Sequence, residues 1–295
     1  MSLHHKILNH LSPILKNVFE IGVNTKLISS DRLRVLTFHD IPESQILFFK
    51  SQILILKKNW TIISPAKFEK MISGLEPIKG NNILITFDDG LISNRKIAEL
   101  VLKPLKIKAI FFVISDFVNI DNLSEARQFI ANNIMPGINI NDVPINWGNM
   151  QWNDLSALLE QGHTIGSHSK THARLSDLKT SDQLSSEIVS SSKDISYKLG
   201  NDVNHFSFPF GNFESIGKKA FKIASHNYKF IHTGLRGNNR QSLSPLLVRR
   251  DAAGSQNDNN EYSIFENELL DSILLGTIDF RYKKSLKELE SWNQY

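Results

Sequence analysis

Two adjacent carboxylates and two closely spaced histidines are the residues of this chain best suited to chemistry. Asp88 and Asp89 end an apolar run, in the sequence Thr-Phe-Asp-Asp-Gly, and His168 and His172 lie far downstream, four residues apart. On a helix or in a tight loop, residues at this spacing lie on one side, so both imidazoles can reach one ion. Two histidines and one carboxylate can bind a divalent metal as the three protein ligands of a catalytic site. The second carboxylate is then available as a base, and the set indicates a metal-dependent hydrolase.

Each motif has a simpler explanation when it is considered alone. Asp-Asp-Gly is also typical of a turn with a solvated neighbour, and two histidines four residues apart are also found on protein surfaces. Successive residues at the end of a strand point to opposite sides. We therefore expect Asp88 and Asp89 to face different partners.

A third segment, Phe-Ser-Phe-Pro-Phe-Gly at residues 206–211, predicts a strand that ends in a stiff turn. The backbone N–H that follows the proline in such a turn can stabilise a developing oxyanion. An ordinary turn between a strand and a loop has the same composition. The segment therefore indicates an active site only in combination with the other two motifs.

The elements that must position these residues alternate between strands and helices. The predicted strands are Leu33–Phe38, Trp60–Ile63, Ile83–Phe87, Ala109–Ile114, Thr164–Ser167, His205–Phe208, Lys229–His232 and Leu246–Arg250. The predicted helices are Ile46–Lys57, Pro65–Ile72, Asn94–Leu102, Asn153–Glu160, Thr180–Leu199, Glu214–Ser225 and Phe265–Leu275. This order predicts an α/β fold with a parallel sheet and outer helices. About seven strands in a chain of 295 residues favour a barrel, and the motifs fall at the carboxyl ends of strands, where barrel active sites are built.

The chain is predicted to consist of an N-terminal segment at 1–30 and a catalytic barrel at 31–295. Apolar residues from Ile7 to Val18 recur with helical period, which predicts an amphipathic helix packed on the domain. A membrane-surface anchor is the alternative for this helix. Residues 116–150 break the alternation, and we expect them to form an insertion over the active-site face.

Composition excludes several classes of function. The chain has 34 Lys and Arg against 30 Asp and Glu, for a formal net charge of +4, and these residues are scattered, so nothing indicates nucleic-acid binding. Without cysteine, thiol catalysis is excluded, and a metal must be held by His, Asp or Glu. No apolar run approaches the length of a transmembrane helix. The N-terminus lacks a signal-peptide pattern, so we expect a cytoplasmic protein. The sequence does not indicate an oligomeric state.

Together and in this order, the three motifs resemble the signature of the polysaccharide deacetylase family, the NodB-like enzymes of carbohydrate esterase family 4. The resemblance lies in Thr86–Gly90, His168–His172 and Phe206–Gly211 and extends from about Leu33 to Arg250. It implies a distorted (β/α) barrel. It also implies metal-dependent removal of an N-linked acetyl group from a sugar or glycan, for example in the assembly of a surface polysaccharide.

The resemblance also implies a role for individual residues. Asp89, His168 and His172 would hold the metal, Asp88 would be the general base, and the N–H of Phe210 would help to hold the oxyanion. Zinc is the expected ion for this donor set, with cobalt, nickel and manganese as alternatives.

The chain departs from the family in the residue that braces the base. Many relatives carry an arginine before the third motif, whereas residues 203–205 of this chain are Val-Asn-His. Arg249 and Arg250, in a later predicted strand, are the candidates to replace it, and we select Arg250. A cation beside Asp88 would lower its pKa and keep it ionised. Both arginines are surface charges in the alternative interpretation.

A second departure concerns the general acid. The family commonly uses a histidine late in the chain, but no histidine follows Arg250. His39, at the end of the first predicted strand, is our candidate for protonating the leaving amine, and His232 is the second candidate. A structural role is the alternative for each.

Two other functions are compatible with these residues. One is hydrolysis of another non-peptide carbon–nitrogen bond by an enzyme of the same superfamily. The other is a catalytically degenerate barrel that binds carbohydrate without turnover.

Overall fold

The computed structural model of the protein describes residues 31–241, 243–256 and 262–293. Its strands are β1 Arg32–Phe38, β2 Thr61–Ile62, β3 Asn81–Phe87, β4 Ile110–Val113, β5 Thr164–Ser167, β6 His205–Ser207, β7 Phe230–His232, β8 Asp251–Ala252, β9 Gly254–Gln256 and β10 Tyr262–Ile264. Its helices are α1 Ile46–Asn59, α2 Pro65–Ile72, α3 Ile92–Ile97, α4 Ser115–Val118, α5 Leu123–Phe129, α6 Trp152–Glu160, α7 Ser181–Ser185, α8 Ser191–Leu199, α9 Phe213–Ile216, α10 Lys218–Asn227, α11 Asn267–Leu275 and α12 Lys283–Trp292. Three π-helical turns extend α3, α5 and α7, at Ala98–Leu102, Ile130–Ile134 and Ser186–Ser190.

A curled parallel sheet forms the centre of the molecule, with strand order β7-β6-β5-β4-β3-β1-β8. β1 and β3 pair along their full lengths, whereas β4 pairs only with Thr86 and Phe87 at the end of β3. The short β2 pairs with the first part of β3 instead. Because every strand in this path is parallel, all of their carboxyl ends lie at one rim, as the predicted α/β barrel requires.

The segment that leads into β8 lies between the two outer strands β7 and β1. Val248 pairs with His232 of β7, and Asp251 and Ala252 pair with β1. This stretch therefore contacts both sides of the opening and makes the sheet a distorted barrel. Arg250 lies in the middle of the stretch, so the closure of the sheet determines its place.

Two predicted elements differ from the structure. The strand predicted at Leu246–Arg250 is wrong in position, because Pro245–Leu247 forms a helical turn and the paired residues are Val248 and β8. Ser244 caps that turn and proline occupies its first position, a combination that favours helical geometry. The helix predicted at Glu214–Ser225 is interrupted at Gly217, whose φ of 73° is outside the helical region.

Alternate residues of the strands belong to two different apolar clusters, as the two-residue period of a strand requires. Leu33 and Val35 of β1 pack in a cluster with Phe112 of β4. Leu36 and Phe38 belong to the larger cluster that the outer helices share. Helix α2 also contributes apolar side chains to the first cluster, which fills much of the barrel interior beneath the rim.

Residues 116–150 contain α5, a π-helical turn and a short 3-10 helix rather than an unstructured loop. The β9–β10 hairpin and α12 were not among the predicted elements. The predicted N-terminal helix at 7–18 lies outside the described residues, and it stays a prediction together with its membrane contact. None of the described helices has the length and apolar character needed to span a membrane.

Candidate active site

The three motifs meet at the carboxyl rim of the barrel, around a cavity of about 310 Å³. Asp88 and Asp89 follow β3, His168 follows β5, and Phe210 lies in the turn after β6. The cavity is lined by Thr37, His39, Asp40, Asp88, Asp89, Leu91, Ile134, Met135, Trp147, His168, His172, Phe208, Phe210, Gly211, Gly234, Arg250, Ala252, Gly254 and Ser255. The fold thus brings residues from seven separated parts of the sequence to one place.

The backbone of the motifs has an unusual conformation. Five described non-glycine residues have positive φ, and four of them belong to the motifs: Asp89 at 73°, Ser169 at 66°, His172 at 64° and Phe210 at 62°. Left-handed backbone is uncommon for residues with a Cβ. Where it recurs, it tends to mark functional sites whose surroundings hold it in place. The clustering supports the motifs as one functional unit.

Asp89, His168 and His172 can hold one metal ion. Nε2 of His168 and Nε2 of His172 lie 3.5 and 3.6 Å from Oδ1 of Asp89, and the three ligand atoms are within 4.8 Å of one another. Ligands about 2.0–2.2 Å from a tetrahedral metal lie about 3.3–3.6 Å apart. All three side chains are buried, so this donor set fits a divalent ion.

Backbone carbonyls orient both imidazoles. Nδ1 of His168 donates to the carbonyl oxygen of Ser207 at 2.8 Å, and Nδ1 of His172 donates to that of Asn133 at 2.9 Å. A proton on Nδ1 leaves the lone pair of Nε2 free, and metal-binding histidines usually have such a partner. Asn133 belongs to the insertion, which therefore supports the metal group as well as lining the cavity.

The charges of the group influence one another. Burial disfavours the charged form of His168, but Asp88 and Asp89 outweigh burial and raise the pKa of this imidazole. Burial, with the nearby His168, lowers the pKa of His172 to about 4. Burial acts to raise the pKa of Asp89, yet the hydrogen bond and charges of the histidines hold it well below its ordinary value. A carboxylate and neutral imidazoles are the forms that bind a metal.

Asp88 faces a different partner from Asp89. Arg250 donates from Nη1 to Oδ1 and from Nη2 to Oδ2 of Asp88, at 2.7 and 2.8 Å. Nη2 of Arg250 also donates to Oγ of Ser207 at 2.7 Å, and Nε donates to the carbonyl oxygen of Thr233 at 2.9 Å. Burial acts to raise the pKa of Asp88, but the guanidinium of Arg250 outweighs it, so the pKa is lowered. The carboxylate stays ionised although it is buried.

The structure separates the alternatives that the sequence left open. Arg249 points away from Asp88, because Nη2 of Arg249 binds Glu290 of α12 at 2.9 Å. His39 lines the cavity, whereas His232 does not. His232 is fully buried in the barrel, where its Nε2 lies 3.0 Å from Nδ1 of His205. Of the two histidines proposed as the acid, only His39 is in a position to reach a substrate in this cavity.

The turn after β6 presents a backbone donor to the cavity. Phe210 has a φ of 62° and its ring lies 4.7 Å from that of His172. Among the described residues, none accepts a hydrogen bond from the N–H of Phe210. Gly211 is required beside it, because a Cβ at this position would lie 2.8 Å from the backbone nitrogen of Gly234. This close approach of two backbones fixes the turn.

A sequence model of a known family agrees with this site. The model described as "Polysaccharide deacetylase" matches residues 76–230, just over half of the chain. This stretch contains all three motifs. The chain belongs to the polysaccharide deacetylase family. It is accordingly a hydrolase that removes acetyl groups from carbohydrate. No curated protein matches it in sequence.

Solved structures of polysaccharide deacetylases share the fold. IcaB from Ammonifex degensii is 22% identical with a TM-score of 0.59, over 75% of this chain and 91% of that one. The Streptococcus pyogenes deacetylase PplD, solved with acetate, is 18% identical with a TM-score of 0.58, over 75% and 92%. A de-N-acetylase from Aggregatibacter actinomycetemcomitans is 17% identical with a TM-score of 0.59, over 75% and 94%.

Two parts of this deacetylase site escaped the sequence reasoning. Ser207 joins Arg250 to the carbonyl that orients His168. Its place inside the barrel follows from the alternation along β6, so a signal existed. The carbonyl of Asn133 had no such signal, because the insertion has no periodic pattern.

Proposed function

We propose that this deacetylase removes the acetyl group from the nitrogen of an N-acetylated sugar in a glycan, with zinc in the Asp89, His168 and His172 group. The observation that carries the proposal is the buried ion pair of Asp88 and Arg250 beside that group. Asp89 belongs to the metal group, while its neighbour Asp88 is kept ionised by Arg250. This is the division of roles that a metal-assisted hydrolysis needs.

Zinc suits the donor set. Two imidazole nitrogens and one carboxylate oxygen are typical protein ligands of catalytic zinc, which keeps a further position for water or substrate. When bound, the ion would polarise the acetyl carbonyl and make the attacking water more acidic. Cobalt, nickel and manganese bind similar groups, so the metal is identified by elemental analysis.

Asp88 is the base in this proposal. Its carboxylate accepts the proton of the attacking water, and Arg250 holds both oxygens in place while it does so. Nε2 of His168 lies 3.8 Å from Oδ2 of Asp88. The base therefore lies next to the metal group without belonging to it, which is where an attacking water must lose its proton.

Phe210 and His39 act on the carbonyl oxygen of the acetyl group and on the leaving nitrogen, respectively. The N–H of Phe210 donates to the oxygen that becomes negative when water adds to the acetyl carbon. His39 donates a proton to the sugar nitrogen as the bond between that nitrogen and the acetyl carbon breaks. Its backbone is fixed by Asn94, whose side-chain amide donates to the carbonyl oxygen of His39 at 2.7 Å. Acetate and the free amine of the sugar are the products.

The relatives support an N-acetyl substrate. One structural relative is described as a de-N-acetylase, and another was solved in complex with acetate, the product that the proposal requires. Two alternative functions were considered above: hydrolysis of another carbon–nitrogen bond, and carbohydrate binding without turnover. No specific contact among the described residues favours either of them.

A zinc titration tests the proposal. Protein stripped with a chelator is titrated with zinc, and acetate release from acetylated chito-oligosaccharides is measured. We expect activity to rise until one zinc is bound per chain and then to level off. His168→Ala should lose the zinc, while His226→Ala, which changes an exposed histidine of α10, should keep it. Tight binding of the sugar without acetate release at any metal content would contradict the proposal.

A further inference from the structure

Asp40 and Trp147 form one wall of the cavity, outside the residues that carry the reaction. Asp40 follows His39 after β1, and Trp147 comes from the insertion. Nε1 of Trp147 donates to Oδ2 of Asp40 at 2.9 Å. Both side chains are buried, and both line the cavity that Asp88 and His172 line. The pair therefore joins the barrel rim to the insertion at the edge of the site.

The carboxylate of Asp40 has unused capacity to accept hydrogen bonds. A carboxylate has about four lone-pair positions on two oxygens. The indole of Trp147 donates to Oδ2, and Ser93 and the backbone N–H of Ile41 also donate to this carboxylate, which leaves about one position for a ligand. Burial raises the pKa of Asp40 from its ordinary value, and the hydrogen bonds from Ser93, Trp147 and the backbone N–H of Ile41 offset this in part. A buried acceptor of this kind favours a ligand that brings its own donors.

The surroundings of the pair suit a sugar. Leu91, Ile134 and Met135 line the same cavity with Trp147, so the cavity offers apolar surface together with the acidic acceptor Asp40. A pyranose has both features in complementary form, with C–H groups on its faces and hydroxyl donors at its edge. Binding pockets commonly combine such apolar walls with a few polar groups that fix orientation.

We propose that Asp40 and Trp147 are the specificity-determining wall of this site, where Asp40 accepts a hydrogen bond from a hydroxyl group of the acetylated sugar. The inference rests on the proposed function, since it assigns the sugar ring to one side of the cavity in which the acetyl group reacts. Trp147 holds the carboxylate in place and contributes apolar surface. A site built around a hydroxyl group discriminates strongly against molecules that lack it, because its buried acceptor is then unpaired.

Two substrates separate sugar recognition from acetyl chemistry. Chitotetraose carries the acetyl group on a sugar, whereas 4-nitrophenyl acetate carries it without one. We expect Asp40→Asn to lower the ratio of kcat/KM for chitotetraose to kcat/KM for the ester by about tenfold, chiefly through KM, because a hydrogen bond to a charged group is replaced by a weaker one. Trp147→Phe, which removes the N–H and keeps an aromatic ring, should lower the same ratio.

Matched controls lie outside the cavity. Asp142→Asn changes an exposed carboxylate of the same insertion. Trp152→Phe removes an indole N–H that donates to Asn119 at 2.9 Å. Both controls should leave the ratio unchanged. If Asp40→Asn and Trp147→Phe reduce the two reactions by the same factor, the pair only supports the structure and the inference is overturned.

Binding of chitotetraose by calorimetry distinguishes this inference from the proposed function. If wild-type protein binds the sugar but releases no acetate, the proposed function fails. The role of Asp40 and Trp147 is then tested by affinity for chitotetraose. A Kd about tenfold higher in Asp40→Asn supports the inference, and an unchanged Kd overturns it. Absence of both binding and acetate release also overturns it.

Discussion

Arg250 binds both carboxylate oxygens of Asp88, at 2.7 and 2.8 Å, across 162 residues of sequence. Both side chains are almost completely buried, at 2% exposure each. An unpaired carboxylate at such a depth would take up a proton, whereas this one is held ionised. The pair thus explains how a residue inside the barrel rim can act as a base. Arg250 can reach Asp88 because it lies in the segment that pairs with β7 on one side and with β1 on the other.

Replacing Arg250 should impair the base. In Arg250→Gln, loss of the cation raises the pKa of Asp88, so the acidic limb of the pH–rate profile should move to higher pH. We expect kcat at neutral pH to fall by at least about tenfold, since general base catalysis contributes about 10²–10⁴. Arg249→Gln, which removes the contact with Glu290, is the matched control and should keep the wild-type profile. An unmoved acidic limb in Arg250→Gln would contradict the role of the pair.

His39 should matter most when the leaving group is poor. An amine leaves only after it has gained a proton, whereas a nitrophenolate leaves without one. We therefore expect His39→Gln to lower kcat for an acetylated chito-oligosaccharide by about 10²-fold or more and kcat for 4-nitrophenyl acetate far less. His226→Gln controls for loss of a histidine at an exposed position. Equal losses on the two substrates would rule out His39 as the acid.

Gly211 should tolerate no side chain. Its φ of 66° alone makes alanine unfavourable by roughly 1–2 kcal/mol, and a Cβ would lie 2.8 Å from the nitrogen of Gly234, which adds about 1–3 kcal/mol. Gly200 has a similar φ of 65°, but a Cβ added there would have no atom within 4 Å. Gly200→Ala therefore measures the cost of the backbone conformation without the clash. Urea denaturation should show the larger loss of stability in Gly211→Ala, with reduced kcat because Phe210 is displaced. Equal destabilisation of the two variants would contradict the clash.

His163 should make stability depend on pH. Burial lowers its pKa to about 4, from 6.5, so the folded protein takes up this proton less readily than the unfolded chain. The contribution of neutral His163 to the free energy of unfolding is complete above pH 6.5 and is lost as the pH falls towards 4. We compare wild type with His163→Gln by urea denaturation, with a chelator present. The difference in unfolding free energy should shrink by about 1.4 kcal/mol per pH unit across that range, and a constant difference would refute the shift.

The sequence predicts the fold and the metal group because both depend on local patterns. Buried parallel strands are short apolar runs with β-branched and aromatic residues, such as Ile110–Val113, and these runs are visible without any knowledge of tertiary structure. The chemistry-bearing residues directly follow them. Once the strands are parallel, Asp89 and His168 must reach the same rim.

Other features depend on contacts between distant segments, which no local pattern encodes. The chain around Val248 is placed by hydrogen bonds to β7 on one side and β1 on the other, so propensity alone gave the wrong strand there. Arg250 is the arginine selected from the sequence, but no local pattern shows which of two adjacent side chains faces the interior. The carbonyl of Asn133 that orients His172 belongs to backbone, which carries no sequence signal.

In the proposed mechanism, Asp88 moves a proton while its neighbour Asp89 holds the metal. The most direct measurement is zinc content together with acetate release for Asp88→Asn, with His172→Gln prepared alongside. We expect Asp88→Asn to keep about one zinc per chain and to lose about 10³-fold in kcat, whereas His172→Gln should lose the zinc itself. Acetate release at the wild-type rate by zinc-loaded Asp88→Asn, or loss of zinc from that variant, would contradict the account.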